Sequence, residues 1–193
     1  MKRICVFSGS SPGVLPAYRD AARVLGVLLA RKGIGLVYGG ASVGLMGAVA
    51  DAALQAGGEV IGVIPQALVH REVAHTGLKD LRVVRSMHER KALMAELSDA
   101  FIALPGGIGT FEELFEVWTW TQLGAHAKPC GLLNTSGFYG QLLAFLEHVV
   151  AQGFLKPREH RLLTWADTPE ALLTLLAQAE TPLLAQWISD EQR

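Results

Sequence analysis

The sequence predicts an α/β protein, a single doubly wound domain built on a mostly parallel sheet. Short apolar, β-branched runs alternate repeatedly with longer segments of helical period, the order expected when helices cross over between parallel strands. The short runs are continuously apolar rather than alternating, as in strands covered on both faces. Three glycine-rich segments, at 8–13, 39–47 and 105–109, each follow such a run directly. They would therefore converge on the carboxyl edge of the sheet, where folds of this class bind ligands. No linker, repeat or low-complexity tract divides the 193 residues. Residues 1–180 are read as the domain and 181–193 as a tail without an assignable role.

Each element has its own signal. Residues 3–8 form a first strand, and 16–32 a helix opened by Pro16, with Val24, Leu25, Leu28 and Leu29 as its apolar stripe. Residues 35–38 are a second strand, and 45–56 a helix of small side chains. A third strand, 59–64, is stopped by Pro65, which offers no N–H to a ladder. After a polar stretch come a strand at 81–85, a helix at 87–97 and a strand at 100–104. A helix at 111–123, a strand at 130–133 and a helix at 138–152 follow. Residues 162–165 read as a last short strand. Thr168-Pro169 then starts a helix, with proline at its first position. The whole is a Rossmann-like arrangement.

Composition removes several classes of function. Half the residues are hydrophobic and 18% are charged, which excludes a disordered chain. Seventeen basic and eighteen acidic residues leave a net charge of −1, so no broad basic field binds nucleic acid, although a small local basic site stays open. No stretch reaches the ~18 apolar residues of a membrane span. Lys2 and Arg3 are followed by only four apolar residues before Ser8, too few for a signal peptide. Cys5 and Cys130 each sit in a strand run and read as buried thiols. A cytoplasmic address is expected.

The most informative stretch is Pro105-Gly106-Gly107-Ile108-Gly109-Thr110-Phe111-Glu112-Glu113. Glycines let the backbone approach a ligand, and their N–H groups beside a helix start form a nest for a phosphate. Thr110 can donate its hydroxyl to the same anion. Thr110 as N-cap with Glu113 three residues on would also close a capping box. That reading leaves unexplained the three glycines in four positions and the paired carboxylates Glu112 and Glu113. A carboxylate beside a phosphate nest repels the anion unless positive charge develops nearby.

The second stretch is Ser86-Met87-His88-Glu89-Arg90-Lys91. Ser86 and Glu89 form a capping box that fixes the helix start. Arg90 and Lys91 then lie in or beside the first turn, where cations oppose the helix dipole and call for an anionic partner. The other glycine segments are weaker. Ser8-Gly9 and Gly39-Gly40 can line a phosphate or nucleotide loop, yet close helix–sheet packing also needs small residues. Gly9-Ser10-Ser11-Pro12-Gly13 matches the serine-hydrolase elbow, but Pro12, Gly13 and Pro16 delay the helix that an elbow requires. The six histidines form no recognisable ligand set, so neither metal nor cofactor is expected. Trp118 and Trp120 read as core or interface residues.

With these residues in view, the chain resembles the Lonely Guy (LOG) family of cytokinin riboside 5′-monophosphate phosphoribohydrolases. Residues 105–113 fit its Pro-Gly-Gly-x-Gly-Thr-x-x-Glu pattern, and Met87, Arg90 and Lys91 fit its Met-x-x-Arg-Lys partner. Similar sequences often carry the label lysine decarboxylase, which the motif does not support. The resemblance, running from about residue 2 to 179, implies hydrolysis of the N-glycosidic bond of a purine riboside 5′-monophosphate, giving free base and ribose 5-phosphate. It implies Arg90 and Glu113 as the catalytic pair. It also implies substrate contacts from Glu72, Arg90, Lys91, Gly106, Gly107, Ile108, Gly109, Thr110, Phe111, Glu112, Glu113 and Thr119. A homodimer is implied, with the apolar helices 111–123 and 138–152 available as an interface. A nucleotide-binding or sensor protein of the same fold, without turnover, stands as the alternative, and a serine hydrolase as a more distant one.

Overall fold

A computed structural model describes residues 1–69 and 74–179. The readings for Glu72 and for the tail at 181–193 fall outside the described residues. In chain order the elements are β1 (Arg3–Phe7), α1 (Pro16–Arg31), β2 (Gly35–Tyr38), α2 (Gly44–Gln55), β3 (Val60–Pro65), β4 (Asp80–Val84), α3 (Met87–Glu96) and β5 (Ala100–Ala103). They continue as α4 (Ile108–Gln122), β6 (Cys130–Leu133), α5 (Gly140–Ala151), α6 (Pro157–His160), β7 (Leu163–Ala166) and α7 (Pro169–Gln178).

One sheet holds all seven strands in the order β4-β3-β2-β1-β5-β6-β7, and every pairing is parallel. Strand residues point alternately to the two faces. Ile4 and Val6 join one core with α1, α2 and α7, while Cys5 and Phe7 join a second with α3, α4 and α5. That two-sided burial is why the strands read as unbroken apolar runs. The chain steps outward from β1 through β2 and β3 to β4, then returns to pair β5 with the other side of β1. This reversal opens a crevice beyond the carboxyl ends of β1 and β5. Among the described residues, no helix is long and apolar enough to cross a membrane.

Four details correct the sequence reading. Helix α4 begins at Ile108, not Phe111, with extended Gly107 as its N-cap and no side-chain cap. Thr110 therefore lies inside the first turn, and its capping box with Glu113 does not form. Pro65 ends β3 rather than stopping it, because β2 pairs only as far as Gly62 while β4 continues to Pro65; beyond β2 its missing N–H costs nothing on that side. Val24 is 42% exposed, and α1 instead buries Ala22, Leu25, Gly26 and Leu29, the i, i+3, i+4, i+7 phase of one helix face. Helix α5 starts at Gly140 instead of residue 138, after a 3₁₀ turn over Thr135–Gly137. There the Asn134 side chain accepts the Tyr139 N–H at 2.7 Å.

Both thiols are fully buried and unpaired, as expected. Burial pushes Cys130 up to about 12; it also raises Cys5, and the negative charge of Glu113 adds to that. A thiol with a raised folded-state pKa stabilises the fold below its ordinary pKa and loses that contribution as pH climbs toward the raised value. The expected outcome is no reaction of the native protein with a thiol reagent at pH 8. Denaturant midpoints should fall as pH passes from about 9 upward, where the unfolded chain ionises first.

Candidate active site

The crevice is built by hydrogen bonds between the two loops that leave β1 and β5. The Gly9 N–H donates to the Pro105 carbonyl at 3.1 Å, and the Leu104 N–H to the Phe7 carbonyl at 2.9 Å. A third bond, Leu45 N–H to Gly9 carbonyl at 3.0 Å, ties in the start of α2. Beside this junction lies a cavity of about 280 Å³. Ser8, Gly9 and Ser10 line it from β1, Gly107 to Thr110 with Glu112 and Glu113 from α4, and Arg90 and Met87 from α3. The two motifs read from the sequence thus meet in one concavity.

Gly107, Ile108 and Gly109 are exposed at its rim, and a Cβ on Gly107 or Gly109 would meet nothing within 4 Å. Close approach to the backbone is therefore open. The first-turn amides of α4 have no intrahelical acceptors, and Gly107 brings no side-chain cap. They present the positive end of a 15-residue helix to the cavity. Gly106 has a different reason to be glycine: a Cβ there would stand 2.1 Å from the Thr110 Oγ1, and Thr110 is only 4% exposed. The Ser8 hydroxyl is buried and has no hydrogen-bond partner among the described residues, an unmet polar group in the wall.

Arg90 reaches the cavity from a helix start capped by Ser86, as read, although the expected capping box is not closed because Glu89 accepts the Arg85 N–H and not that of Ser86. The Glu89 N–H donates to Ser86 Oγ at 3.1 Å, and Glu89 Oε2 accepts the Arg85 N–H at 2.7 Å. Arg90 is 4% exposed, with Nε donating to the Val63 carbonyl at 3.2 Å and Nη2 to the Gly39 carbonyl at 3.0 Å. A Cβ on Gly39 would sit 2.1 Å from that Nη2. Gly39 thus serves the site by cradling the arginine. Gly39 and Gly40 do not line the cavity, and the Gly40 carbonyl accepts the His75 N–H at 2.9 Å.

The neighbouring charges divide cleanly. Lys91, 7% exposed, donates to Glu112 Oε1 and, at 2.9 Å, to Glu116 Oε1. Burial alone would lower its pKa, but its hydrogen bonds to Glu112 and Glu116, with the charge attraction of both, outweigh that and raise the net value. Glu112 therefore has a cation of its own. Glu113 is half-buried and shares the cavity wall with Arg90. Both act on the Cys5 thiol below, Glu113 raising its pKa and Arg90 lowering it. An acid and a cation thus stand over one point of the sheet, beside a helix start.

Other sequence-read residues lie elsewhere. The Phe111 ring packs edge-on against Tyr139 at 6.0 Å, inside the core. Thr119 is exposed further along α4, with its hydroxyl on the Phe115 carbonyl at 2.7 Å. Trp118 is buried and donates to the Glu159 carbonyl at 3.1 Å, a core role. Met87, the first residue of the Met-x-x-Arg-Lys motif, also lines the cavity, and Met46 and Leu68 complete it; these last two were missed, because isolated apolar residues carry no signal separating a ligand wall from a core. Among the described residues no group of three His, Cys, Asp or Glu side chains could hold a metal.

Comparison with known proteins places the chain in a family. The family model described as "Possible lysine decarboxylase" matches residues 46–176. A cytokinin riboside 5′-monophosphate phosphoribohydrolase of Arabidopsis thaliana is 50% identical over 179 residues, covering 93% of this chain and 82% of its own length. A probable enzyme of the same name from Oryza sativa subsp. japonica is 52% identical over 181 residues, 94% of this chain and 74% of the relative. Among solved structures, the molybdenum cofactor binding protein of Rippkaea orientalis superposes with a TM-score of 0.70 at 26% identity, over 91% of this chain and 95% of that one. The molybdenum cofactor carrier protein of Chlamydomonas reinhardtii, also at 0.70 but 23% identical, over 91% of this chain and 96% of that one, shares the fold. With half of its residues identical to such enzymes and both motif loops meeting at one crevice, the chain belongs to the Lonely Guy (LOG) family of phosphoribohydrolases.

Proposed function

We propose that this protein hydrolyses the N-glycosidic bond of purine riboside 5′-monophosphates, cytokinin ribosides included. One observation carries the reading: Glu113, Arg90 and the first turn of α4 line a single cavity at the sheet reversal. The names of its half-identical relatives support the same substrate class.

Breaking the bond from C1′ to the purine nitrogen leaves positive charge on the ribose ring. The Glu113 carboxylate stabilises that charge and orients the water whose oxygen bonds to C1′. One proton of that water ends on the departing base. Arg90, fixed by two carbonyls, positions the acid and contacts the substrate. The amides at Gly107 to Thr110 and the Thr110 hydroxyl hold the 5′-phosphate, and the Ser8 hydroxyl gains a partner on the sugar or phosphate. The phosphate is remote from the reacting bond, so its binding energy fixes the ribose against Glu113. The buried Lys91 acts indirectly, by neutralising Glu112 so that the nest stays attractive to an anion.

A homodimer belongs to this proposal. It is supported by the apolar face of α5, where Phe145 is 59% exposed, and is checked by light scattering. A cytoplasmic site of action is supported by two unpaired thiols. The phosphate anchor is tested with AMP against adenosine. The expected result is a kcat/KM at least ~100-fold higher for AMP, since charge-assisted contacts on the phosphate total several kcal/mol. Equal values for the two substrates would remove the anchor while leaving the glycosidase reading intact.

A further inference from the structure

Apart from the catalytic cavity, a groove of about 890 Å³ lies between α1 and α2. It shares no lining residue with the catalytic cavity. Arg19, Arg23 and Arg31 line it from α1, together with Val27. Spaced by multiples of four, these positions fall on one helix face, over a rise of about 18 Å. Gly47, Ala48 and Ala52 of α2 give it a shallow floor, and Gly44 sets the first turn of α2 at one end.

Positive charge is in excess there, with three arginines against one carboxylate in the wall. Among the described residues Arg19 and Arg31 make no ion pair, and Arg23 meets only Asp20 at 3.8 Å, both side chains being more than half exposed. The single carboxylate in the wall, Asp51, already accepts the His75 Nε2–H at 3.1 Å. Three guanidiniums on one face of a protein with net charge −1 repel one another unless an anion joins them. Guanidinium forks match phosphate oxygens two at a time. A monophosphate can meet one or two of the three, whereas a chain of phosphates can follow the row. The cavity volume also lies in the range of small-molecule sites.

The geometry points to an oligophosphate-binding groove between α1 and α2, separate from the catalytic cavity and taking a ligand such as inorganic tripolyphosphate or a nucleoside triphosphate. The test is calorimetric titration of the full chain with tripolyphosphate and with ATP, each with the catalytic cavity filled by a slowly turned-over or product monophosphate. Both probes are expected to bind, with affinity falling as salt rises from 50 to about 300 mM. Arg19→Ala/Arg23→Ala/Arg31→Ala should weaken both at least ~10-fold. A matching Lys triple variant should retain part of the affinity, because it keeps charge but loses the fork. Base release from AMP should be unchanged in either variant, and its failure in the parent would count against the proposed reaction without touching the groove. Equal affinities would place recognition in the phosphate chain, and a tighter ATP complex would add a nucleoside contact; both support the groove. Absence of binding, binding indifferent to the alanine variant, displacement by AMP, or tighter capture of an oligothymidylate than of tripolyphosphate would overturn it.

Discussion

Replacing Glu113 by Gln is expected to leave a folded protein whose base release falls by roughly 10²- to 10⁴-fold, the range for loss of a positioned carboxylate. The substitution keeps shape and hydrogen-bonding capacity, so only the negative charge disappears. Its effect should fall on kcat while KM changes little, because the charge matters when the ribose becomes cationic and the phosphate supplies ground-state binding. Chromatographic measurement of free base from AMP and from isopentenyladenosine monophosphate, with thermal melts alongside, checks both halves. Retention of full activity would reduce Glu113 to a structural residue, whereas absence of base release from the parent protein itself would favour one that binds nucleotides without turnover. Glu112→Gln is the internal control. Its side chain is tied to Lys91, so a much smaller loss is expected.

Arg90→Ala is the second large effect, and it should strike stability and turnover together. The guanidinium is buried and donates to the carbonyls of Val63 and Gly39. Truncation strands those acceptors and opens a hole, which costs about 1–3 kcal/mol for each unsatisfied buried group. Glu113 loses the cation that shares its cavity, so activity should drop at least ~100-fold. Arg90→Lys separates the two effects. One ammonium can serve one of the two carbonyls, recovering part of the melting temperature, but it cannot hold the planar fork and should restore little activity. A variant of wild-type stability and wild-type rate would show that the arginine has neither role.

Much of this arrangement was legible in the chain because the signals were local. The N-cap at Ser86 marks the start of α3, and with it the height of Arg90 above the sheet edge. The apolar strands and the glycine segments behind them gave the sheet and its binding edge. Where the reading failed, tertiary context decided. Nothing local tells that Gly107 caps α4 and draws Ile108 and Gly109 into the helix, nor that β3 outlasts its neighbour β2 at Pro65. The four-residue α6 is too short for a periodic signal. The doublets Arg90-Lys91 and Glu112-Glu113 carry a subtler lesson. Adjacent helical residues point about 100° apart, so the two members of a pair meet different neighbours even at one cavity. The structure brings Arg90 and Glu113 to the cavity, keeps Lys91 out of its wall, and ties Glu112, at the same wall, to Lys91, which also meets Glu116. A sequence shows the doublets but not the rotation that chooses between their members.

The position of β1 between β2 and β5 also governs how the molecule is made. Ile4 pairs with Leu36 on one side and with Ala100 on the other, so its second partner leaves the ribosome long after its first. Until then a nascent chain carries a half-built sheet whose β1 margin is raw, with ladder groups unmatched and the Phe7 side uncovered by α4. Such a margin is a template for mispairing with other chains, and the late, distant closure slows folding. The same seam that creates the reactive crevice is thus the last to be sewn and the first that holdase chaperones would need to shield.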